Sequence, residues 1–162
     1  MKSARSTESL HALEVPTRVV SLLVPSTCVA EVVPRSTYVP VPLSPDWVLG
    51  VMSWRSRPVP VISLEPLIDP GSVQSGIQNS DGTGAQRRGS KIVIFYPLPG
   101  RNPWEFFGIV TSAEPQSRVI DSGEGSVVAA VPGSKIIAMT IQVGDAALAI
   151  PDLDALAALL YP

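Results

Sequence analysis

Proline is the residue that most constrains how this chain can fold. The sequence contains 17 prolines among 162 residues, which is about twice the usual share of about 5%. Proline has no amide hydrogen to donate and its ring fixes φ, so it interrupts helices and is kept out of the interior of sheets. Long helical bundles are therefore disfavoured, and the sequence predicts short elements separated by many turns.

Short runs of β-branched and other apolar residues follow one another along the chain. Each run is bounded by Pro, Gly, Asn or Asp, as is typical of strands in a barrel or sandwich. The runs cover residues 18–24, 28–33, 59–62, 91–96, 106–110, 126–131 and 135–141. The sequence therefore predicts an all-β fold.

Two segments depart from the strand pattern. Residues 69–90 are polar and carry five of the twelve glycines, which predicts a mobile loop between two lobes, at about 16–68 and 91–144. Near the C-terminus, Leu153, Leu156 and Leu160 recur at helical spacing after Asp152. Aspartate is a preferred N-cap, so we expect one short amphipathic helix that begins after Asp152.

Length, charge and cysteine content limit the class of protein. A chain of 162 residues with 45% hydrophobic residues suits one folded domain, which we expect over 16–162 after a flexible tail at 1–15. The net charge of −2, without a basic stripe, argues against nucleic-acid binding. No segment resembles a signal peptide or a membrane span, and the single cysteine excludes an internal disulfide, so we expect a cytoplasmic protein.

Side chains for catalysis or metal binding do not form a recognisable constellation. His11 is the only histidine and lies in the expected tail, and Cys28 begins an apolar strand without a histidine beside it in sequence. We therefore expect no catalytic residues, no cofactor and no metal site.

One alternative concerns the glycine-rich basic loop at 82–91. It superficially resembles a phosphate loop, although a strand follows it where a phosphate loop would open a helix. If this loop binds a ligand, the chain is a small β-barrel that binds a metabolite or acts as an enzyme.

Aromatic and arginine side chains concentrate in the middle of the first half of the chain. Trp47 and Trp54 flank residues 48–53, and Trp54 is followed by Arg55 and Arg57. Tryptophan and arginine are the residues that most often anchor protein interfaces. The cluster favours a protein-binding module over an enzyme.

A longer motif surrounds Arg55. Residues 50–64 read GVMSWRSRPVPVISL and keep in register the Gly-Val, Arg, Pro and Leu of the signature of the CheW family, the adaptor domain of bacterial chemosensory arrays. Residues 29–32 resemble the family's V-x-E-I strand, residues 107–110 its G-L-V-V strand, and residues 149–156 its closing leucine-aspartate motif. The resemblance covers about residues 16–160.

The resemblance implies both a fold and a function. The fold would be two packed SH3-like five-stranded β-barrel lobes, with residues 145–162 returning to the first lobe. The function would be that of a non-catalytic adaptor, which couples chemoreceptor tips to the regulatory domain of a CheA-type histidine kinase. Such an adaptor is recruited to membrane-associated receptor arrays without entering the membrane, and a divergent member suits an accessory system such as type IV pilus twitching.

The resemblance also assigns roles to individual residues. Arg55 occupies the motif position tied to receptor and kinase coupling, although it would also suit a brace that donates hydrogen bonds to turn carbonyls. The expected neighbouring partner contacts are Val51, Met52, Trp54 and Arg57. The expected structural residues are Gly50, Pro60 and Glu31.

Three serines depart from the family's motif. Ser53, Ser56 and Ser63 stand where the family has Asn, Gly and Asp. The loss of glycine at position 56 matters most, because only glycine accepts a positive φ without cost. A decoy adaptor that fails to couple to the kinase is therefore a further alternative.

Overall fold

The computed structural model describes residues 8–70, 90–129 and 134–162. Within these segments the strands are β1 (Ser9–Pro16), β2 (Ser21–Pro25), β3 (Val29–Pro34), β4 (Val48–Trp54), β5 (Arg57–Ile62), β6 (Lys91–Phe95), β7 (Phe107–Val110), β8 (Gln116–Asp121), β9 (Gly125–Ala129), β10 (Ile137–Val143) and β11 (Ala146–Pro151). The helices are α1 (Glu65–Ile68) and α2 (Leu153–Leu160). The prediction of an all-β fold with a short C-terminal helix is confirmed.

The strands form two sheets, each assembled from both halves of the chain. The first sheet has six strands in the order β8-β1-β2-β11-β10-β9, and the second has five in the order β3-β6-β7-β5-β4. Neighbouring strands are antiparallel except at β2–β11 and β5–β7. These two parallel contacts join strands that are distant in sequence.

Both sheets curl so that their end strands approach each other. In the first sheet, only residues 122–124 separate the end strands β8 and β9 in sequence. In the second sheet, Val39 follows the end strand β3 and exchanges two backbone hydrogen bonds of 2.8 Å with Val51 of the other end strand, β4. Each sheet therefore approaches a closed barrel, as expected for SH3-like lobes.

Apolar side chains fill three clusters. The largest contains residues from both sheets and from α2, among them Val15, Leu22, Ile62, Phe95, Phe107 and Leu156. A second cluster belongs to the second sheet and includes Met52, Ile92 and Ile94. A third belongs to the first sheet and includes Ala12, Leu23 and Leu148. Each curled sheet thus has its own interior, and the two sheets share a larger core.

Helix α2 packs against the shared core. The Asp152 side chain accepts a hydrogen bond of 2.9 Å from the backbone N–H of Ala155, which confirms its predicted role as N-cap. Leu156 is fully buried, and Leu153 and Leu160 pack beside it at the edge of the core. The predicted leucine face is therefore the face that the helix buries.

The expectation of a flexible tail over residues 1–15 is wrong for the part that the structure describes. Ser9–Pro16 forms β1, which pairs with β2 on one side and β8 on the other. Of this strand, Ala12 and Val15 are buried and the first three residues are exposed. A half-buried strand with polar residues between its apolar ones resembles a polar tail in sequence.

The division of the chain between the two sheets also differs from expectation. Strand β2 belongs to the first sheet, whereas β6 and β7 join β3, β4 and β5 in the second. Consecutive strands do not always pair, and the partner of a strand is set by contacts distant in sequence. Apart from residues 69, 70 and 90, the predicted mobile loop lies outside the described residues.

Candidate functional site

Strands β4 and β5 form a hairpin that carries Arg55 and Ser56 at its tip. Trp54 pairs with Arg57, so the loop contains two residues. Both have a positive φ, of 47° for Arg55 and 61° for Ser56, as a type I′ turn requires. This turn matches the twist of the flanking strands and fixes the direction in which Arg55 leaves the sheet.

Glu31 lies on β3, the end strand of the second sheet opposite β4, and its side chain contacts the tip of the β4–β5 hairpin. Its Oε2 atom accepts a hydrogen bond of 3.0 Å from the indole Nε1–H of Trp54 and another of 3.0 Å from the guanidinium of Arg55. The guanidinium carbon of Arg55 also lies 4.7 Å from the centre of the Trp54 ring. Since β3 and β4 are end strands, the three side chains close the seam between them.

The Glu31–Arg55 ion pair lies at the surface. The Arg55 side chain is 68% exposed and the Glu31 side chain 40% exposed. Such a pair contributes only about 0.2–1 kcal/mol to folding, because water screens both charges. The guanidinium donates to the Glu31 carboxylate, and the described contacts include no bond from it to a turn carbonyl.

A row of aromatic rings lies beside the ion pair. The Trp54 ring lies 5.2 Å from Phe106, and Phe106 lies 6.1 Å from the half-exposed Tyr96. The guanidinium of Arg57 stacks over Phe106 at 5.5 Å, and no carboxylate in the described segments forms an ion pair with it. The hairpin thus presents two arginines on aromatic rings, an arrangement that suits carboxylate recognition.

Gly50 and Pro60 position the hairpin within the second sheet. A Cβ atom at Gly50 would lie 2.4 Å from the carbonyl oxygen of Val39, and its φ is 150°. Gly50 therefore permits the close approach that the Val39–Val51 hydrogen bonds need. Pro60 lies opposite Val51 in the β4–β5 register. Both residues have the contacts expected of structural positions.

The structure separates the expected partner contacts into exposed and buried residues. Arg55 and Arg57 are exposed and Val51 is partly exposed. Met52 and Trp54 are only 5% and 8% exposed and belong to the core of the second sheet. Their assignment as direct contacts is corrected: strand alternation directs them inward, and they support the surface from beneath.

Phe106 and Tyr96 are residues of the site that the sequence did not identify. Phe106 belongs to an apolar run and Tyr96 ends one, so both were expected only as parts of strands. Phe106 contacts the Trp54 and Tyr96 rings and the Arg57 guanidinium, and these contacts depend on pairing between β5, β6 and β7. Tyr96 follows β6, in which residues 92–95 are all buried, and Phe106 precedes β7. Strand alternation therefore gives no signal for either residue.

A second group of polar side chains holds the C-terminus. The Tyr161 hydroxyl donates a hydrogen bond of 2.8 Å to the carbonyl oxygen of Phe106. Arg101 donates to the carbonyl of Tyr161 at 2.6 Å and pairs with the buried carboxylate of Glu105. Burial, and then the negative charge of Glu105, raise the pKa of Tyr161. These contacts attach the end of α2 to the segment before β7.

The described residues contain no cluster of three or more His, Cys, Asp or Glu side chains arranged to hold a metal ion. His11 is exposed on β1 and Cys28 is a free, partly buried thiol beside the shared core. Of the basic loop 82–91, only Ser90 and Lys91 are described, and Lys91 pairs with Glu114 at 3.4 Å. No helix in the described segments is long and apolar enough to cross a membrane.

Comparison with known proteins gives a family and a fold. A comparison with curated proteins finds no significant match. Among solved structures, the scaffolding protein TtCheW from Thermoanaerobacter tengcongensis superposes with a TM-score of 0.68 at 16% identity, covering 94% of this chain and 90% of that one. The model of the CheW-like domain family matches residues 13–159. The chain therefore belongs to the CheW-like domain family.

Proposed function

We propose that this chain is a non-catalytic adaptor of a bacterial chemosensory array, which couples chemoreceptor tips to the regulatory domain of a CheA-type histidine kinase. The observation that carries the proposal is the position of Arg55. It lies at the tip of the hairpin that bears the family motif, and its side chain is 68% exposed. Membership of the family and the scaffold role named for TtCheW support the same function.

The environment of Arg55 suits contact with a partner. A guanidinium has five N–H donors in a rigid fork, and Glu31 is its acceptor among the described residues. Within the described segments the remaining donors have no other acceptor, so they can donate to a partner's carboxylates or carbonyls. The type I′ turn and the Trp54 ring hold the guanidinium in place, which reduces the entropy lost on binding.

Arg57 and Val51 extend the proposed contact surface. Arg57 projects over Phe106 beside the hairpin tip, and Val51 is partly exposed on β4. Buried Met52 and Trp54 support this surface. An adaptor needs no bond-making step, because it transmits a signal by binding two states of a receptor or kinase with different affinity.

The binding test uses the full chain with two probes, a kinase regulatory domain and a receptor tip fragment. We expect wild type to bind both, and Arg55→Ala to weaken binding to at least one by about tenfold, as for a lost hydrogen bond to a charged group. Arg18→Ala, which removes another exposed arginine, is the matched control and keeps wild-type affinity.

The outcomes separate the adaptor role from the role of Arg55. Wild type that binds neither probe contradicts the adaptor role. Arg55→Ala that binds both probes like wild type contradicts the contact role of Arg55 alone. Thermal melts of the variants guard against misfolding, since the surface ion pair contributes little to stability.

We further propose that the adaptor works in the cytoplasm at receptor arrays. The twitching pathway stays a prediction, and no contact of the described residues favours the ligand-binding alternative at 82–91.

For the decoy alternative, Ser56 already adopts the φ of 61° that the family's glycine would allow. Restoring Asn, Gly and Asp at positions 53, 56 and 63 should leave kinase coupling unchanged, and a gain of coupling would favour the decoy.

A further inference from the structure

A network of polar side chains joins the end of α2 to the segment just before β7. Arg101 donates hydrogen bonds to the carbonyl oxygen of Tyr161 at 2.6 Å and to that of Ala157 at 3.4 Å. It also pairs with the buried carboxylate of Glu105. The Tyr161 hydroxyl in turn donates to the carbonyl oxygen of Phe106 at 2.8 Å. We call Arg101, Glu105 and Tyr161 the α2 clamp.

Folding stability is a weak reason for such a clamp. Taking charges out of water is costly, and a buried ion pair often stabilises a fold no better than apolar side chains of similar volume. Helix α2 is already held by the Asp152 N-cap and by the burial of Leu156. What a buried pair with all its hydrogen bonds provides is a single geometry, because other arrangements leave a buried charge without a partner. The α2 clamp therefore fixes the position of residues 101–106.

Phe106 connects the α2 clamp to the arginine hairpin. It lies one residue before β7, where the Tyr161 hydroxyl holds its backbone carbonyl. Its ring packs against the rings of Trp54 and Tyr96, and the Arg57 guanidinium lies over it at 5.5 Å. A guanidinium within about 6 Å of a ring centre is attracted to the face of the ring. Since Arg57 forms no ion pair within the described segments, the Phe106 ring is the contact that orients it there.

We propose that Tyr161 is a positioning residue for partner binding: by holding the Phe106 carbonyl, it keeps the Phe106 ring beneath Arg57, which then binds a carboxylate of the partner. A guanidinium whose face lies on a ring still presents its N–H donors at the edge, where a carboxylate binds. An arginine that is already oriented loses less side-chain freedom on binding. This inference rests on the proposed adaptor function, and it makes the end of α2 part of the site without direct contact.

The first measurement compares Tyr161→Phe with wild type by NMR, in the free full-length chain. Phenylalanine keeps the ring and removes only the hydroxyl that donates to Phe106. Protons over the face of an aromatic ring are shielded, so the side-chain resonances of Arg57 should lie upfield of their usual positions in wild type. In Tyr161→Phe this upfield shift should decrease. An unchanged shift overturns the inference, whatever the partner is.

The second measurement is the affinity for the kinase regulatory domain and for the receptor tip fragment. For the probe whose binding Arg57→Ala weakens, we expect Tyr161→Phe to lower the affinity by about two- to fivefold, the loss that corresponds to a cation–π contact at an exposed site. In the Arg57→Ala background, Tyr161→Phe should have no further effect, because both changes act through the same guanidinium.

The matched control is Thr17→Val in the turn between β1 and β2 of the first sheet. It also removes a hydroxyl that donates to a backbone carbonyl, that of Val20 at 2.6 Å. This variant should melt at a lower temperature than wild type, with unchanged affinity and unchanged Arg57 resonances. An equal loss of affinity in Thr17→Val and Tyr161→Phe would assign Tyr161 a purely structural role.

The remaining outcomes each have a definite meaning. If Tyr161→Phe or Arg57→Ala binds both probes like wild type, the orientation of Arg57 does not matter for binding and the inference is wrong. If the two losses of affinity multiply in the double variant, Tyr161 does not act through Arg57. Wild type that binds neither probe contradicts the adaptor function, whereas the Arg57 resonances still decide whether Tyr161 positions the Phe106 ring.

Discussion

The close approach at Gly50 gives the most quantitative prediction. In Gly50→Ala the new Cβ atom would lie 2.4 Å from the carbonyl oxygen of Val39 and 2.8 Å from its carbonyl carbon, well inside the ordinary contact distance of about 3.5 Å. The segment around Val39 must move away, and its two hydrogen bonds to Val51 are lost. At about 1 kcal/mol for each bond, the variant loses about 2 kcal/mol from this effect.

A positive φ adds strain to Gly50→Ala, and a control variant isolates that strain. Gly123 has a φ of 111°, and a Cβ atom added there would meet no other atom within 4 Å, so Gly123→Ala carries backbone strain without the clash. The gain from a less flexible unfolded chain is common to both variants. Their difference in unfolding free energy, about 2 kcal/mol, therefore measures the Val39 contact.

Urea unfolding followed by circular dichroism measures this difference, and thermal melts give a second readout. For a domain of this size, 1 kcal/mol corresponds to about 2–4 °C, so Gly50→Ala should melt about 4–8 °C below Gly123→Ala. Equal stability of the two variants would refute the reasoning, because it would mean that the segment around Val39 does not need the space at Gly50.

Two further variants test the hairpin turn and the C-terminal contacts. Ser56→Gly should raise the unfolding free energy by up to about 1 kcal/mol in urea titrations, because glycine adopts a φ of 61° without strain; a loss of stability would contradict the turn geometry. In the unfolded chain the Tyr161 hydroxyl loses its proton near the ordinary tyrosine pKa of about 10. In the folded protein the pKa of Tyr161 is raised, so the hydroxyl keeps its proton at a higher pH. Stability should therefore fall as pH rises above about 10, and Tyr161→Phe should fall less steeply; equal slopes would contradict the assignment.

The sequence predicted the fold class because most of the buried strands are runs of consecutive apolar residues, which can be recognised without knowledge of the rest of the fold. It missed four strands. In β1 the apolar residues are interrupted by His11 and Glu14, and in β8 only Val119 and Ile120 are apolar. The Gly50 of β4 resembles a turn signal, and β11 is rich in alanine, which has a low strand propensity. In the structure that glycine lies inside a strand and permits a backbone contact with Val39. Which strands pair could not be predicted, because pairing depends on contacts distant in sequence.

The candidate site was predicted in part. The motif identified Arg55 and the structural roles of Gly50 and Glu31, whose contacts agree with those roles. The burial of Met52 and Trp54 follows from alternation along β4 and was open to prediction once that strand was recognised. The seam between Glu31 and Trp54 joins residues 23 positions apart, and only the closed sheet brings them together.

The central claim is that one molecule of this chain joins a receptor to a kinase. In the most direct test, the kinase regulatory domain is immobilised and the receptor tip fragment is added with or without the full chain. The amount of receptor fragment retained on the kinase domain is then measured. We predict retention that depends on the chain and that decreases with Arg55→Ala but not with Arg18→Ala. The claim would be contradicted if the kinase domain retained as much receptor fragment without the chain as with it. It would also be contradicted if no receptor fragment were retained when the chain is present.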